Sequence, residues 1–514
     1  MALESKRKHM LILAAVVAIV SYVLRQQKNV SVASYLPSWL AQKRASPESQ
    51  TPPLRATDPE KTPPGLHQKT LPAPIRPNLA KAAESLPDSQ RTKLRKAIEA
   101  KQAALQRSLL HNLPEEVFMK NLMPFEKDWQ TCSGDAYSPT GVTVEEIRTL
   151  GDFPDYEALS GVLAPTAYEG FEIENAVARP YRPFRWKYHQ TMSLSNLQPD
   201  WWLELEKTYV KMIHGREDLF AKHGSLMLQH LPGSEFECKE LMEMALQFLC
   251  ARYPHYFSLS YSEKENSYVF HNGILKNETV IKSMHPLHVL LHNVPEDFAV
   301  MIRNPEDGMY YLRAGIICSS LGWNLGTKIG KQLCDVHAPI PDYKEKMSKS
   351  MDRYFSKMST SAPIQRGSWG LEIDTPLFMP PGDPHEAHRS GRLPPDQLPL
   401  SRIHLRVDWQ TLRRLPLSGA IIFNFKALFT PIEEFRDEPG VPGIVAKVLR
   451  EGKKEIMEYK NTWHVEHVAL PALEAWDREQ RDGGVVEKGW EVETLAEQPF
   501  FRGWEGKWRR QQGF

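Results

Sequence analysis

His337 stands in the run Cys334-Asp-Val-His337-Ala-Pro-Ile-Pro341. It follows a segment, residues 323–334, whose apolar spacing predicts an amphipathic helix. A histidine held between a helix end and a rigid Pro-x-Pro has few positions open to it. That restraint suits an axial metal ligand, whose second ring nitrogen needs a fixed acceptor. It also suits a side chain that caps the helix C-terminus. A second constellation is Arg406-Val-Asp408-Trp-Gln410-Thr-Leu-Arg413-Arg414-Leu-Pro416. Arg406 and Asp408 share one face of a predicted strand, and Gln410, Arg413 and Arg414 follow in a predicted turn. Arginines here suit carboxylates through paired N–H groups, and Asp408 suits a proton relay. The same residues would also make a buried ion-pair network. In Trp463-His464-Val-Glu466-His467 the two histidines fall on one side of a helix, a spacing open to a two-His-plus-carboxylate site or to plain packing. His288 and His292 are bracketed by Pro286 and Pro295, which points to packing in a short helix. Asn277-Glu-Thr279 is a glycosylation sequon if the domain is lumenal. There is no GxSxG, no GxGxxG after a strand, no P-loop and no Asp-x-Asp; the nearest to the last is Glu372-Ile-Asp374.

The elements that must position these groups read as an α+β fold. Residues 256–261 and 267–271 form a predicted hairpin around a Glu-Lys-Glu-Asn turn. Residues 298–303 and 309–318 form a second, closed by Asn-Pro-Glu-Asp-Gly. Alternating patterns predict strands at 403–408 and 419–429, and helices are expected at 342–358 and 441–459. Pro339 and Pro341 stop helical structure between them. Residues 382–400 are proline-rich and polar, which suggests an exposed insertion. Antiparallel hairpins interleaved with helices argue for one α+β domain over 114–480, followed by a C-terminal tail over 481–514.

The N-terminal part has a different character. Basic residues 6–9 precede an apolar run, 10–24, and Arg25 and Lys28 follow it. The run is shorter than the roughly 20 residues of a comfortable span. Two readings are open: an uncleaved signal-anchor over 1–28, favoured by the trailing basic residues, or a cleaved signal peptide with Ser31 and Ala33 as the small residues before the cut. Residues 29–88 form a proline-rich linker with too little apolar surface to order itself. Residues 89–113 form a basic helix with Leu94, Ile98, Leu105 and Leu109 on one face. The 514 residues carry a formal net charge of +1, which gives no electrostatic case for nucleic acid. Five cysteines without a CxxC pair argue against a zinc ribbon or a disulfide scaffold, leaving a single bridge such as Cys238 with Cys250 open.

An ordered set of segments resembles the haem-dependent oxidative N-demethylase alpha-subunit-like family. They are Trp186-Lys-Tyr-His-Gln-Thr-Met192, Asp200-Trp-Trp-Leu-Glu-Leu-Glu-Lys-Thr-Tyr209, Glu296-Asp-Phe, Gly322-Trp-Asn-Leu-Gly-Thr-Lys-Ile-Gly330, Val336-His-Ala-Pro-Ile-Pro-Asp-Tyr343 and the run from Arg406 to Pro416. Together they cover residues 165–475. The long form, with its anchor, looks like the fungal branch. The resemblance implies a PAS-like fold around haem b, O2 as oxidant, and electrons from a separate NADPH- and flavin-dependent reductase. It implies attack on a C–H bond beside the nitrogen of a small secondary amine, after which the carbinolamine collapses to amine and formaldehyde. Carried onto this chain, it makes His337 the axial ligand, with Cys334 as runner-up. It makes Arg366, Arg406, Gln410, Arg413 and Arg414 candidates for holding the haem, and Asp408 or Glu466 the proton relay. Bacterial members have Glu-Arg where this chain has Asp408-Trp409, a departure that bears on substrate and proton delivery. Two rival readings remain. One is a type II membrane glycosyltransferase of mannosyltransferase type, suggested by the anchor and stalk. The other is a PAS-like haem sensor or a haem-free interaction module. The anchor implies a single-pass protein of the endoplasmic reticulum, Golgi or a mitochondrial membrane.

Overall fold

The computed structural model describes residues 121–187 and 192–513. The anchor, the linker, the basic helix and His189 lie outside the described residues. Ten strands are present among the described residues: β1 Ser195–Asn196, β2 Leu228–His230, β3 Phe257–Ser262, β4 Ser267–Asn272, β5 Asn277–Val280, β6 Asp297–Arg303, β7 Tyr310–Ile316, β8 Ile364–Ile373, β9 Ile403–Arg414 and β10 Ile421–Pro431. Seven of them form one antiparallel sheet in the order β1-β8-β9-β10-β6-β7-β2, and β3, β4 and β5 form a small second sheet. With the helices around them this is an α+β fold.

Both expected hairpins are there. The β6/β7 loop closes as its chemistry dictates: the Asn304 side chain accepts from Glu306 N, Asp307 accepts from Met309 N, and Gly308 supplies a φ of 73°. Four expectations fail, each for a local reason. Residues 323–334 do not form one helix. They make a single tight turn, Leu325–Thr327, and a short helix, Leu333–Val336, because Gly330 sits at φ 78° between them. Residues 342–358 divide into Tyr343–Lys346 and Ser348–Lys357. Residues 441–459 divide into Val441–Glu451 and Lys454–Lys460 at Gly452, where a Cβ would lie 2.5 Å from Val448 O. Finally, β9 runs through Arg414, so Gln410, Arg413 and Arg414 are strand residues and not a turn.

The large sheet separates two packed layers. On one face Trp369, Leu371, Val407, Trp409, Ile422 and Phe298 belong to one large core that also takes in the Glu235–Arg252 and Pro286–Asn293 helices. The first of these helices is buried on nearly every side, as a core helix must be when apolar residues surround it. On the other face Ala299, Met301, Leu312, Leu412 and Phe423 meet Met347, Met351 and Phe355.

Two segments expected at the periphery are part of this body. Within 382–400, Leu398 is buried and Arg392 Nε donates to Trp463 O at 2.7 Å. Beyond residue 480, Phe501 and Trp508 are buried, and the Trp508 indole donates to Val177 O at 2.7 Å. The centre of that contact is Glu438. It receives two hydrogen bonds of 2.7 Å from Arg182, and Lys507 Nζ lies 3.0 Å away. All five cysteines are free, so Cys238 and Cys250 are not bridged.

Both side chains of the Arg182 and Glu438 pair are fully buried, at 1% and 0% exposure. Removing Arg182 leaves buried Glu438 with Lys507 still beside it, at a cost of up to about 3–5 kcal/mol. Arg182→Ala is therefore expected to lower the unfolding free energy obtained from urea titration by up to that amount. A loss below about 1 kcal/mol, the range of exposed pairs, would place Glu438 in contact with water instead.

Candidate active site

A cavity of about 770 Å³ opens on the second face of the sheet, within the range of roughly 300–1,000 Å³ typical of ligand pockets. The two-residue period of the strands decides what faces it. From β8 come Arg366, Ser368, Gly370 and Glu372; from β9 come Arg406, Asp408 and Gln410. The register sets Arg366 beside Gln410, Ser368 beside Asp408 and Gly370 beside Arg406. Gln410 in turn pairs with Phe425 of β10, and Phe425 with Asp297 of β6. One end of the floor is thus polar, while the other, toward Ala299, Met301, Leu312 and Phe423, is apolar. Short helices form the opposite wall: Val336 and His337 at one helix end, Met347 and Met351, and then Ile456, Tyr459 and Lys460.

His337 is fixed by two contacts. Its Nδ1 donates to Leu333 O at 2.8 Å, and its ring stacks on Tyr343 at 5.2 Å and 11°. Nε2 is therefore the unprotonated nitrogen of the neutral ring. The ring is half-buried and lines the cavity. Burial lowers its pKa to about 4, against the pull of the Leu333 bond, so the ring is neutral at pH 7. A neutral imidazole with Nδ1 committed is the form that can give a lone pair to a metal.

Arg406 and Asp408 form the network that was the alternative reading of their segment. Nε and Nη2 of Arg406 both donate to Asp408 Oδ1, at 2.9 and 2.8 Å. The remaining N–H groups serve Pro376 O, Leu377 O and Ser319 O. Arg406 thus aims Asp408, which keeps about a third of its side chain exposed at the cavity.

Three further groups are brought in from elsewhere in the chain. Lys460 Nζ donates to Trp369 O at 2.8 Å and lies 4.5 Å from the Trp369 ring. Burial lowers its pKa to about 7, with Arg366 assisting and Asp408 opposing. Glu372 is 2% exposed, and burial raises its pKa to about 7 against the pull of Arg389. Arg389 Nε lies 3.3 Å from Glu372 Oε2, within ion-pair range but without an aligned hydrogen bond. Sequence alone singled out neither Lys460 nor Arg389, and weighed Glu372 only beside Asp374. These two carboxylates serve different arginines, since Asp374 pairs with Arg402 at 2.7 Å.

The other candidates lie elsewhere. Cys334 does not line the cavity; its Sγ donates to Gln332 Oε1 at 2.9 Å, and burial and Asp335 raise its pKa. Arg413 points to the opposite sheet face, onto Trp202 at 4.2 Å. Arg414 is spent on Tyr310 Oη, Phe355 O and Gly419 O. Glu466 accepts from the Thr462 hydroxyl at 2.6 Å. His464 and His467 donate to Asn461 O and Leu393 O, and no metal-holding group of three His, Cys, Asp or Glu occurs among the described residues. His292 bonds Glu217 and His288 packs on Phe220, as expected of a short packed helix.

Glu372 gives the site a pH dependence. Its folded pKa of about 7 lies above the unfolded carboxyl value of about 4.3. The folded chain therefore holds this proton more tightly. The resulting stabilisation is complete below about pH 4.3 and is lost as pH rises through 7. Relative to Glu372→Gln, the native chain is expected to lose on the order of 2 kcal/mol between pH 5 and pH 8. Urea midpoints of the two proteins measured across that range read the difference; a gap that stays constant with pH would show Glu372 ionised throughout.

Residues 193–470, more than half of the chain, match the family model described as haem-dependent oxidative N-demethylase, alpha subunit-like. The match spans all ten strands, the His337 segment and the Lys454–Lys460 helix. At the family level this carries haem dependence, oxidoreductase activity, and an amine and O2 as reactants. The chain belongs to the haem-dependent oxidative N-demethylase, alpha subunit-like family.

Proposed function

We propose that this chain binds haem b in the large cavity, with His337 Nε2 as axial ligand, and oxidatively demethylates a small secondary amine. Electrons would come from a separate NADPH- and flavin-dependent reductase. The observation that carries the proposal is His337 itself: a neutral imidazole, Nδ1 tied to Leu333 O, lining a cavity of about 770 Å³. The residues present fit the group. Apolar side chains such as Met301, Met351 and Phe423 suit a macrocycle, and Arg366, Lys328 and Lys460 suit its carboxylates. Cys334 fits less well, because its thiolate is disfavoured and it stands outside the cavity. Haem bound there supplies dioxygen activation and the oxidation of a C–H bond beside nitrogen.

The chain's own residues do the rest. Asp408 is held through Oδ1 by Arg406, which leaves Oδ2 to meet an ammonium group or carry a proton. Gln410, one period further along β9, offers an amide to a bound group. Lys460 and Glu372, each near neutrality at pH 7, can receive and return protons without introducing a lasting charge. A PAS-like sheet is supported by the order β7-β6-β10-β9-β8, in which one hairpin and three later strands close side by side, with short helices inserted between. We also propose that residues 10–24 anchor the protein in a membrane as a single pass. Their basic flanks support this, and release of the protein by alkaline carbonate would refute it.

The full-length protein is expressed with haem precursor, and its absorption is recorded in ferric, reduced and carbon-monoxide-bound forms. A stoichiometric Soret band that moves in His337→Ala and is unchanged in Cys334→Ala is expected. With a flavin reductase and a secondary amine, formaldehyde should form, and Asp408→Asn should cut the rate by about 10²–10⁴-fold with the Soret band intact. A folded, colourless protein that takes up no haem would sink the proposal.

A further inference from the structure

We propose that the small pocket beside Arg413 is a site for one small monovalent anion, a halide or a short carboxylate such as formate. It lies on the sheet face opposite Arg406, Asp408 and Gln410. Arg413 pairs in register with Ile422, while β8 has already ended at Ile364, opposite Leu412. No strand therefore continues beside Arg413 on that side to offer it a partner. Arg413 is 8% exposed and lies 4.2 Å from the Trp202 ring. Among the described residues Arg413 makes no ion pair, and its buried Nε has no hydrogen-bond acceptor.

Buried charges in proteins are paired, because an isolated one forfeits its hydration. A cation–π contact returns only part of that loss. Burial lowers the Arg413 pKa to about 10, which still leaves it a cation at neutral pH. Its neighbours have other commitments: Gln247 gives its amide to Pro154 O at 2.7 Å, and Ser160 gives its hydroxyl to Tyr156 O at 2.6 Å. Glu157 is the one carboxylate on the wall and is half-buried. The pocket measures about 40 Å³ and is otherwise walled by apolar groups such as Val162, Ala164 and Phe248. At roughly 10–15 Å³ for each water-sized occupant, it has room for a halide or formate with its water.

The test uses the full-length chain in sodium gluconate, an anion too large for the pocket. Gluconate is replaced by chloride, nitrate or formate at constant ionic strength, and the thermal midpoint is followed. A saturable rise of a few degrees is expected, and it should be absent in Arg413→Met, which keeps the contact with Trp202 without the charge. Should that variant fail to fold, Ala164→Val fills the pocket and is expected to raise the anion concentration for half-effect about tenfold. Chlorine NMR line broadening by the native protein, displaced by formate, reads the same site without unfolding. An anion effect equal in native protein and variants would overturn the proposal. So would the absence of both a midpoint shift and displaceable broadening, and Arg413 would then be solvated by water alone.

Discussion

The site rests on one constraint: the in-register antiparallel pairing of β8, β9, β10 and β6. A strand has two faces, and a slip of one residue exchanges them. In β9 such a slip would bring Val407, Trp409 and Thr411 to the cavity and send Arg406, Asp408 and Gln410 into the apolar layer. The register is therefore enforced from both sides. Burial of Trp409 and Val407 favours it by roughly 1.5–3 kcal/mol for each large side chain, and burying Arg406 without its acceptors would be penalised further. The same alternation explains the small anion pocket, because Arg413 lies an odd number of positions from Asp408 and Gln410 and must face away from them.

Within the cavity, two ways of managing buried charge operate side by side. Arg406 is paired and surrounded by acceptors, and Asp297 accepts from Arg216 and Ser319 at 2.5 Å each. His337, Lys460 and Glu372 have weaker support, and burial moves each toward its neutral form. A several-kcal/mol desolvation penalty is avoided by neutralisation when pairing does not offset it. The cavity consequently sets three groups that burial moves toward neutrality beside a lining rich in arginine and lysine. A metal ligand and mobile protons both favour that condition, since a protonated imidazole has no lone pair to give.

The sequence made the strands legible where apolar and polar residues alternate, as at 403–408, and where turn chemistry marks a hairpin, as at 304–308. It became ambiguous where β9 is buried on both faces. From Thr411 to Arg414 every residue is buried, so Arg413 and Arg414 look like turn residues only because arginine is rarely found in such a place. The helix expected at 323–334 failed because periodicity does not register the left-handed backbone at Gly330. His337 could be singled out because proline restrains it locally. Lys460 and Glu372 could not, because each is distinguished only by its neighbours in space. Glu372 lies on β8 and Lys460 at a helix end, with β9 and β10 between them in the chain.

The matched region supplies the floor, the His337 wall and the short helices, yet the cavity is completed by residues outside it. Pro183, Arg185 and Trp186 precede the match and Thr494 follows it, and all four line the cavity. The two flanks are joined directly. Trp186 N donates to Thr494 Oγ1 at 2.9 Å, and the Thr494 hydroxyl donates back to Trp186 O at 2.7 Å. A second tie lies beneath, where Arg182 from the first flank and Lys507 from the last helix share Glu438. The flanks are thus held by a part-buried pair of hydrogen bonds and by the buried Glu438 cluster. The chemistry of the floor follows from residues inside the matched region. The shape of what can approach it follows also from segments that lie outside it, and a shared floor therefore does not by itself imply a shared substrate.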